Sequence, residues 1–417
     1  MTRPPQPDPD AHTPRLARVI GLPGAVSLGL GSILGTGVFV SLAFAADIAG
    51  AAAIIAAALA AGVALANGLS SAQLAAAFPV SGGTYEYAWR LLGPTAGRLA
   101  GWLFLLAKSA SAATAARGAL VYGAGLVGSQ LPSAVHAAAA ALLLIALTAL
   151  VARGVQRSSR ANHVLVAVTL GALCTFVVVA AFNPMSPTSA ALPPAGALPP
   201  ATALPLMQAT ALLFVAYTGY GRLATLGEEV RDPAVTIPRA IAITLGASMI
   251  IYVAVAAAAI HSVGAQAFAA TADPGTAPLV AVARTFAHPA VATLVALGAV
   301  TAMVGVALNL LLGLSRVVLA MARRADLPTS LQALHPRTHS PARAVWAVGA
   351  FTALLALAGD MRTTWTFSAV TVLLYYGITN LAALQLPAHQ RRFPRWVAWT
   401  GLLSCLWLAL MAASTLF

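Results

Sequence analysis

Apolar runs of about twenty residues or more recur along the chain from Val19 almost to its end, separated by short polar connections. A hydrocarbon core of roughly 30 Å is crossed by about 20 residues in helical form, and backbone in lipid has to satisfy its hydrogen bonds within itself. The repetition therefore dictates an all-α bundle of membrane-spanning helices, with the lipid bilayer as its first partner. Continuous apolar runs, in place of alternating ones, exclude a transmembrane β-barrel. Composition agrees: 60% of residues are hydrophobic and 8% charged, and a mean hydropathy of +0.86 lies outside the range of a soluble globular domain.

The runs place spans at 19–46, 50–77, 97–128, 134–152, 162–182, 206–228, 238–262, 288–321, 343–359, 364–386 and 396–416, eleven in all. Arginines orient them. Arg3, Arg15 and Arg18 precede the first span, Arg90 and Arg98 follow the second, and Arg153, Arg157 and Arg160 follow the fourth. Arg231 and Arg239 follow the sixth, Arg323, Arg324, Arg337 and Arg343 the eighth, and Arg391, Arg392 and Arg395 the tenth. Every second connection is basic, so the basic side is the cytoplasmic face of a cell membrane. The N-terminus is then cytoplasmic and, after eleven crossings, the C-terminus extracytoplasmic. The net charge of +13 is dispersed among these connections, and a nucleic-acid partner is not expected.

The uncharged, proline-rich stretch 183–205 separates the first five spans from the next five, with the eleventh beyond them. The organisation expected is a cytoplasmic tail (1–18), a first repeat (19–182), an extracellular linker (183–205), a second repeat (206–386) and an eleventh helix (387–417). Each half opens on a span interrupted by glycine, GSILGTGVF (Gly31 to Phe39) in the first and YTGYG (Tyr217 to Gly221) in the second. Glycine weakens a helix, and small residues also let helices pack closely. Broken spans at matching positions of two halves point to a transporter binding site at an inverted repeat. Unwinding around Gly35, Thr36 and Gly37 frees N–H groups at a positive helix end, suited to a carboxylate. Carbonyls released at Ile33 and from Ala216 to Gly219 are suited to an ammonium. An α-amino acid carries both charges.

At these residues the chain resembles the amino acid, polyamine and organocation permease superfamily, which has the leucine-transporter fold. The matching stretches are GSILGTGVF, FPVSGGTYEYA (Phe78 to Ala88), FVAYTGYGRLATLGEEVRDPAVTIPRAI (Phe214 to Ile241) and NLLLGLSRVVLAMAR (Asn309 to Arg323). The resemblance covers spans one to ten and implies a 5+5 inverted repeat with discontinuous helices 1 and 6. Members usually have twelve spans, and this chain shows eleven. The resemblance also implies a carboxylate held by the amides of Gly35, Thr36 and Gly37, and an ammonium at the carbonyls of Ile33, Val215 and Thr218. Relatives often place an aromatic lid where this chain has Val215, so the lid is expected at Phe214 or Tyr217, or the pocket is roomier. Positions that hold sodium in driven relatives fall on Val306 and Ala307, and the lysine that replaces the ion in others falls on Thr169. Neither coupling device is expected here.

Lys108, the chain's single lysine, lies ten residues beyond Arg98, about 15 Å deep at 1.5 Å per residue. A charge there costs at least ~2.5 kcal/mol on insertion scales and marks function. By the resemblance it falls on the face of span three that borders the substrate, with Ala112 one turn further. Two roles follow for it, proton coupling or pairing with an acidic group of the substrate, beside a structural cation bonded to helix carbonyls. Gln73, Asn309 and Asn380 are intramembrane polar residues suited to interhelical hydrogen bonds, and Asn309 also borders the expected pocket. Glu86 is read as a solvated interface residue, and Glu228 and Glu229 as a cytoplasmic gate with Arg222 or Arg316.

The function expected is a secondary amino acid transporter working by alternating access. Small or medium neutral amino acids come first because the lining is apolar; Lys108 disfavours cationic ones and leaves acidic ones open. A channel, or a non-transporting amino acid sensor on the same fold, is the alternative. GxxxxGK[ST] is absent, the histidines lack an HExxH spacing, and Cys174 and Cys405 both lie in apolar spans. No enzyme activity, cofactor, metal site or disulfide is expected.

Overall fold

The computed structural model of the chain describes residues 16, 18–126, 132–183, 203–272, 276–336, 338–358 and 361–413. Most of the expected tail 1–18, and residues 184–202 of the expected linker, lie outside the described residues. Sixteen α-helices follow one another among them. They are α1 (Leu22–Ile33), α2 (Leu42–Ala49), α3 (Ala53–Ala77), α4 (Thr84–Leu91), α5 (Pro94–Leu126), α6 (Ser133–Ala152), α7 (Val155–Phe182) and α8 (Ala203–Tyr217). The second series is α9 (Gly221–Ala224), α10 (Pro233–Val263), α11 (Ala265–Ala269), α12 (Pro278–Ala283), α13 (Pro289–Arg323), α14 (Ala342–Ala358), α15 (Met361–Leu384) and α16 (Arg395–Ala413). The β content among the described residues is two isolated bridges, Ile20 with Val230 and Ser81 with Leu226.

Proline opens many of these helices: α5, α10, α12 and α13 begin on one, and Pro23 stands at the start of α1. The missing N–H would be unpaired in a first turn anyway. Seven stretches are long and apolar enough to cross a membrane, and four shorter apolar helices, Leu22–Ile33, Ala342–Ala358, Val370–Leu384 and Arg395–Met411, accompany them. One of the seven, Gly37–Ala77, turns back at Gly50, whose φ of 56° needs a residue without a β-carbon. Its first half then runs on from α1, so that α1 with α2, and α3, form two separate apolar segments. The short helices α4, α11 and α12 between crossings are only five to eight residues long and were not expected.

The bundle is built around α13, which is buried along nearly its whole length and packs on α5 and α7. Small residues make these approaches possible, as membrane interfaces require. Gly298 of α13 lies on Ala172 of α7, and Gly349 of α14 lies on Thr148 of α6. In α3 a stripe of Ala53, Ala56, Ala57, Ala60 and Ala64 is buried. The outer surface is apolar, with Leu142, Ile250, Leu354 and Leu403 each more than half exposed, as a surface facing lipid has to be. At 33 and 35 residues, α5 and α13 run about 50 Å at 1.5 Å per residue, longer than a hydrocarbon core, so they tilt or project beyond it.

The first expected break is present as an unwound stretch, whereas at the second the helix narrows without unwinding. The first is open: α1 stops at Ile33, Leu34 is extended (φ −76°, ψ 95°), and winding resumes as a π-turn over Gly37–Ser41 before α2. The second is tightened: α8 passes into a 3₁₀ turn over Thr218–Tyr220 and then the single turn of α9. That change of pitch exchanges i→i+4 for i→i+3 bonding without extending the chain. The sixth crossing accordingly closes at Ala224, short of the expected 228.

Candidate functional site

The two breaks meet. A β-carbon on Gly37 would overlap the Tyr252 hydroxyl and stand 2.5 Å from the Ala216 β-carbon, and one on Gly219 would overlap the carbonyl of Ser32. Glycine at both places is what lets the backbone of the first crossing touch that of the sixth. In the first turn after a break, N–H groups have no intrahelical acceptor, so Gly35, Thr36 and Gly37 present theirs at a positive helix end.

A cavity of about 40 Å³ lies where these segments face α5 and α13. Its wall includes Ile33, Gly35, Thr36 and Gly37 of the first break, Val215, Ala216, Thr218 and Gly219 of the second, and Lys108 of α5. Nine of the residues singled out in the sequence therefore share one wall. Ser32, Ser111, Val306 and Leu310 complete it. Ser111 was legible in principle, because it stands three residues beyond Lys108 on the same helical face. Leu310 is presented by α13 through long-range packing that carries no local signal, as is Val306, noted in the sequence only as falling on the sodium position of relatives.

Other expected residues lie elsewhere. Phe214 is buried behind the wall, edge-on to Tyr376 at 5.9 Å between ring centroids, and Tyr217 stacks on Tyr252 at 4.7 Å. Ala112 is buried outside that wall. Thr169 of α7 donates to Leu165 O at 2.9 Å and sits 3.2 Å from the Thr301 hydroxyl, packed near Gly31 and Leu34. Asn309 turns from the cavity, donating to Gly305 O at 2.8 Å and to the Asn162 amide oxygen. Asn380 donates to Asn67 Oδ1 at 2.6 Å, and Gln73 accepts from Phe393 N at 3.4 Å.

Lys108 Nζ donates to the Thr218 hydroxyl at 2.7 Å. That hydroxyl donates in turn to Val215 O at 2.6 Å. Tyr376 donates to Thr218 O at 2.9 Å, and Tyr252 donates to Ile33 O at 3.0 Å. Each of the three carbonyls expected to meet an ammonium thus carries a hydroxyl, and Thr218 O also accepts the Gly221 N–H, so it has no lone pair left for an ammonium. The two tyrosines come from α10 and α15, and no sequence pattern announced them.

Below the cavity, the arginine-rich end of the bundle is bolted together. Ile20 pairs with Val230, and Val19 and Ile20 N donate to Glu229 O at 2.9 and 3.0 Å. The Glu229 carboxylate is buried against Arg316, whose Nε donates at 3.2 Å. Arg222 turns instead to Thr225 at 3.0 Å. Glu228, beyond the end of the sixth crossing, accepts from Arg323 at 2.7 Å, Ser81 N at 3.1 Å and Leu16 N at 3.2 Å. Burial raises the Glu228 pKa, but the Arg323 bond and charge and the two amides outweigh it and hold the carboxyl below its ordinary value. Glu86, expected to be solvated, is instead buried in a pair with Arg324 at 2.7 Å; tertiary packing brings α13's end over α4.

The sequence is similar to those of known proteins. The profile of the amino acid permease family matches residues 24–417. The chain is 43% identical over 402 residues to an uncharacterized transporter of Mycobacterium tuberculosis, covering 96% of this chain and 88% of that protein. It is 28% identical to a branched-chain amino acid permease of Bacillus subtilis, covering 91% and 83% of the two chains. A methylthioribose transporter of the same bacterium is also 28% identical, with 80% and 73% covered.

Proposed function

The chain belongs to the amino acid permease family, and on that premise we propose that it is a secondary amino acid transporter working by alternating access, with its binding site at the cavity between the two helix breaks. The observation that carries the reading is that Gly35, Thr36 and Gly37 of the first crossing and Ile33, Val215 and Thr218 line one cavity. The amides take the α-carboxylate and the carbonyls of Ile33 and Val215 take the α-ammonium. Side-chain selection falls to Lys108, Ser111, Val215 and Leu310.

The cavity holds about three waters at 10–15 Å³ each, fewer heavy atoms than any amino acid, so the helices have to part to admit a substrate. The first two crossings of each half, α1 to α3 and α8 to α10, move against α5, α7, α13 and α14. The ion pairs at the arginine-rich end, which we place in the cytoplasm, close that side and break when it opens. The division at 183–205 makes the halves an inverted 5+5 repeat. Val306 packs on Gly35 where driven relatives hold sodium, so transport runs without it.

The test is counterflow in proteoliposomes: vesicles loaded with an unlabelled amino acid accumulate the labelled one only if a carrier exchanges them. Saturable accumulation abolished by Gly37→Ala supports the reading. Binding without exchange identifies a sensor, and single-channel current a pore.

A further inference from the structure

The charges around the cavity do not balance. Lys108 is 4% exposed and lines the wall, and its bonded partner there, the Thr218 hydroxyl, is neutral. No wall residue is Asp or Glu. Among the described acidic residues, Glu86, Glu228 and Glu229 are engaged by arginines at the far end of the bundle, and Asp326 by Tyr85. Asp47 and Asp232 line no part of the cavity. A buried ammonium without a counter-charge is costly unless something neutralises it.

The acceptors opposite cannot do so. Ile33 O, Val215 O and Thr218 O each already take a hydroxyl proton. Thr218 O also takes the Gly221 N–H, so the lone pairs that remain are those of Ile33 O and Val215 O, enough for one α-ammonium. The donors are three backbone amides at a positive helix end, the Thr36 hydroxyl and the Lys108 charge. A neutral zwitterion leaves that surplus positive charge buried, and a cationic amino acid doubles it. A substrate with one further negative charge cancels it.

Resting on the amino acid transporter reading, we infer that the substrate is an acidic, dicarboxylic amino acid: its α-carboxylate sits on the amides of Gly35, Thr36 and Gly37, and its second carboxylate takes Lys108. The apolar part of the wall, which by itself favours a neutral side chain, then encloses the methylenes between the two carboxylates. Lys108 acts as the residue that sets specificity, since it reaches the side-chain end of the ligand and leaves the amino acid core to backbone.

Counterflow with the full chain tests this by setting L-glutamate and L-aspartate against L-glutamine and L-asparagine, which match them in shape and lack the charge. The acids are expected to exchange with an apparent affinity about 10- to 100-fold tighter than their amides, the range of a hydrogen bond to a charged group. Lys108→Gln is expected to erase the ratio between the acids and their amides, and Lys108→Arg to keep it. Should Lys108→Gln fail to fold, the wild-type protein alone decides: its thermal midpoint rises with glutamate or aspartate and less with the amides. Exchange of neutral or cationic amino acids with no response to the acids overturns the inference and leaves the transporter reading standing. Absence of exchange with any amino acid overturns both.

Discussion

Gly37→Ala puts the contact between the two breaks under direct strain. The added β-carbon would stand 2.5 Å from the Ala216 β-carbon and closer still to the Tyr252 hydroxyl. Carbon atoms in contact sit about 3.5 Å or more apart, so the first crossing has to withdraw from the sixth by about 1 Å. Overpacking of that kind costs about 1–3 kcal/mol. Because the withdrawal separates the amides of Gly35–Gly37 from the carbonyls opposite, the cost falls on substrate binding, and at 1.4 kcal/mol per decade the apparent affinity drops about 5- to 150-fold. Titration calorimetry on purified protein reads the affinity, and a thermal melt in detergent reads the fold. Gly171→Ala in α7 is the control, since a β-carbon there meets nothing within 4 Å. Wild-type affinity in Gly37→Ala would refute the claim that the two breaks form one site.

Three further outcomes follow. Glu229→Ala leaves Arg316, 1% exposed, as an uncompensated buried charge, which costs about 3–5 kcal/mol and lowers the thermal midpoint, whereas Arg90→Ala at a half-buried i,i+4 pair changes it little. The Glu228 carboxyl, held below its ordinary 4.5, contributes stability that is complete above that value and lost as pH falls through the lowered pKa. The stability advantage of wild type over Glu228→Gln is therefore flat from pH 8 to 5 and shrinks only below about 4.5; a decline between pH 8 and 6 would contradict the bonding described. Replacing sodium by choline leaves counterflow unchanged, because Val306 fills the space against Gly35; sodium-dependent exchange would show that an ion is held elsewhere.

The crossings were legible because lipid admits few solutions: an apolar run of twenty residues in a bilayer winds as a helix, whatever its neighbours do. The breaks were legible for the converse reason, since Gly35, Gly37 and Gly219 stand where a membrane helix gains nothing from them. What the sequence could not carry was the company those breaks keep. Tyr252 and Tyr376 cap Ile33 O and Thr218 O from helices 219 and 158 positions away, and such pairings arise from packing alone. The pairing of Glu86 with Arg324 is of the same kind. Phe214 and Tyr217, expected as lids, are drawn behind the wall by Tyr376 and Tyr252, because aromatic rings in a small-residue bundle gain more from stacking than from lining a space this small.

The central claim is that free backbone amides at the first break hold the substrate's α-carboxylate. Hydrogen–deuterium exchange across residues 33–41, with and without a saturating amino acid, tests it most directly. Protection at Gly35, Thr36 and Gly37 on binding is the predicted result. An amino acid that binds and protects other segments while exchange at these three amides stays unchanged would contradict the account.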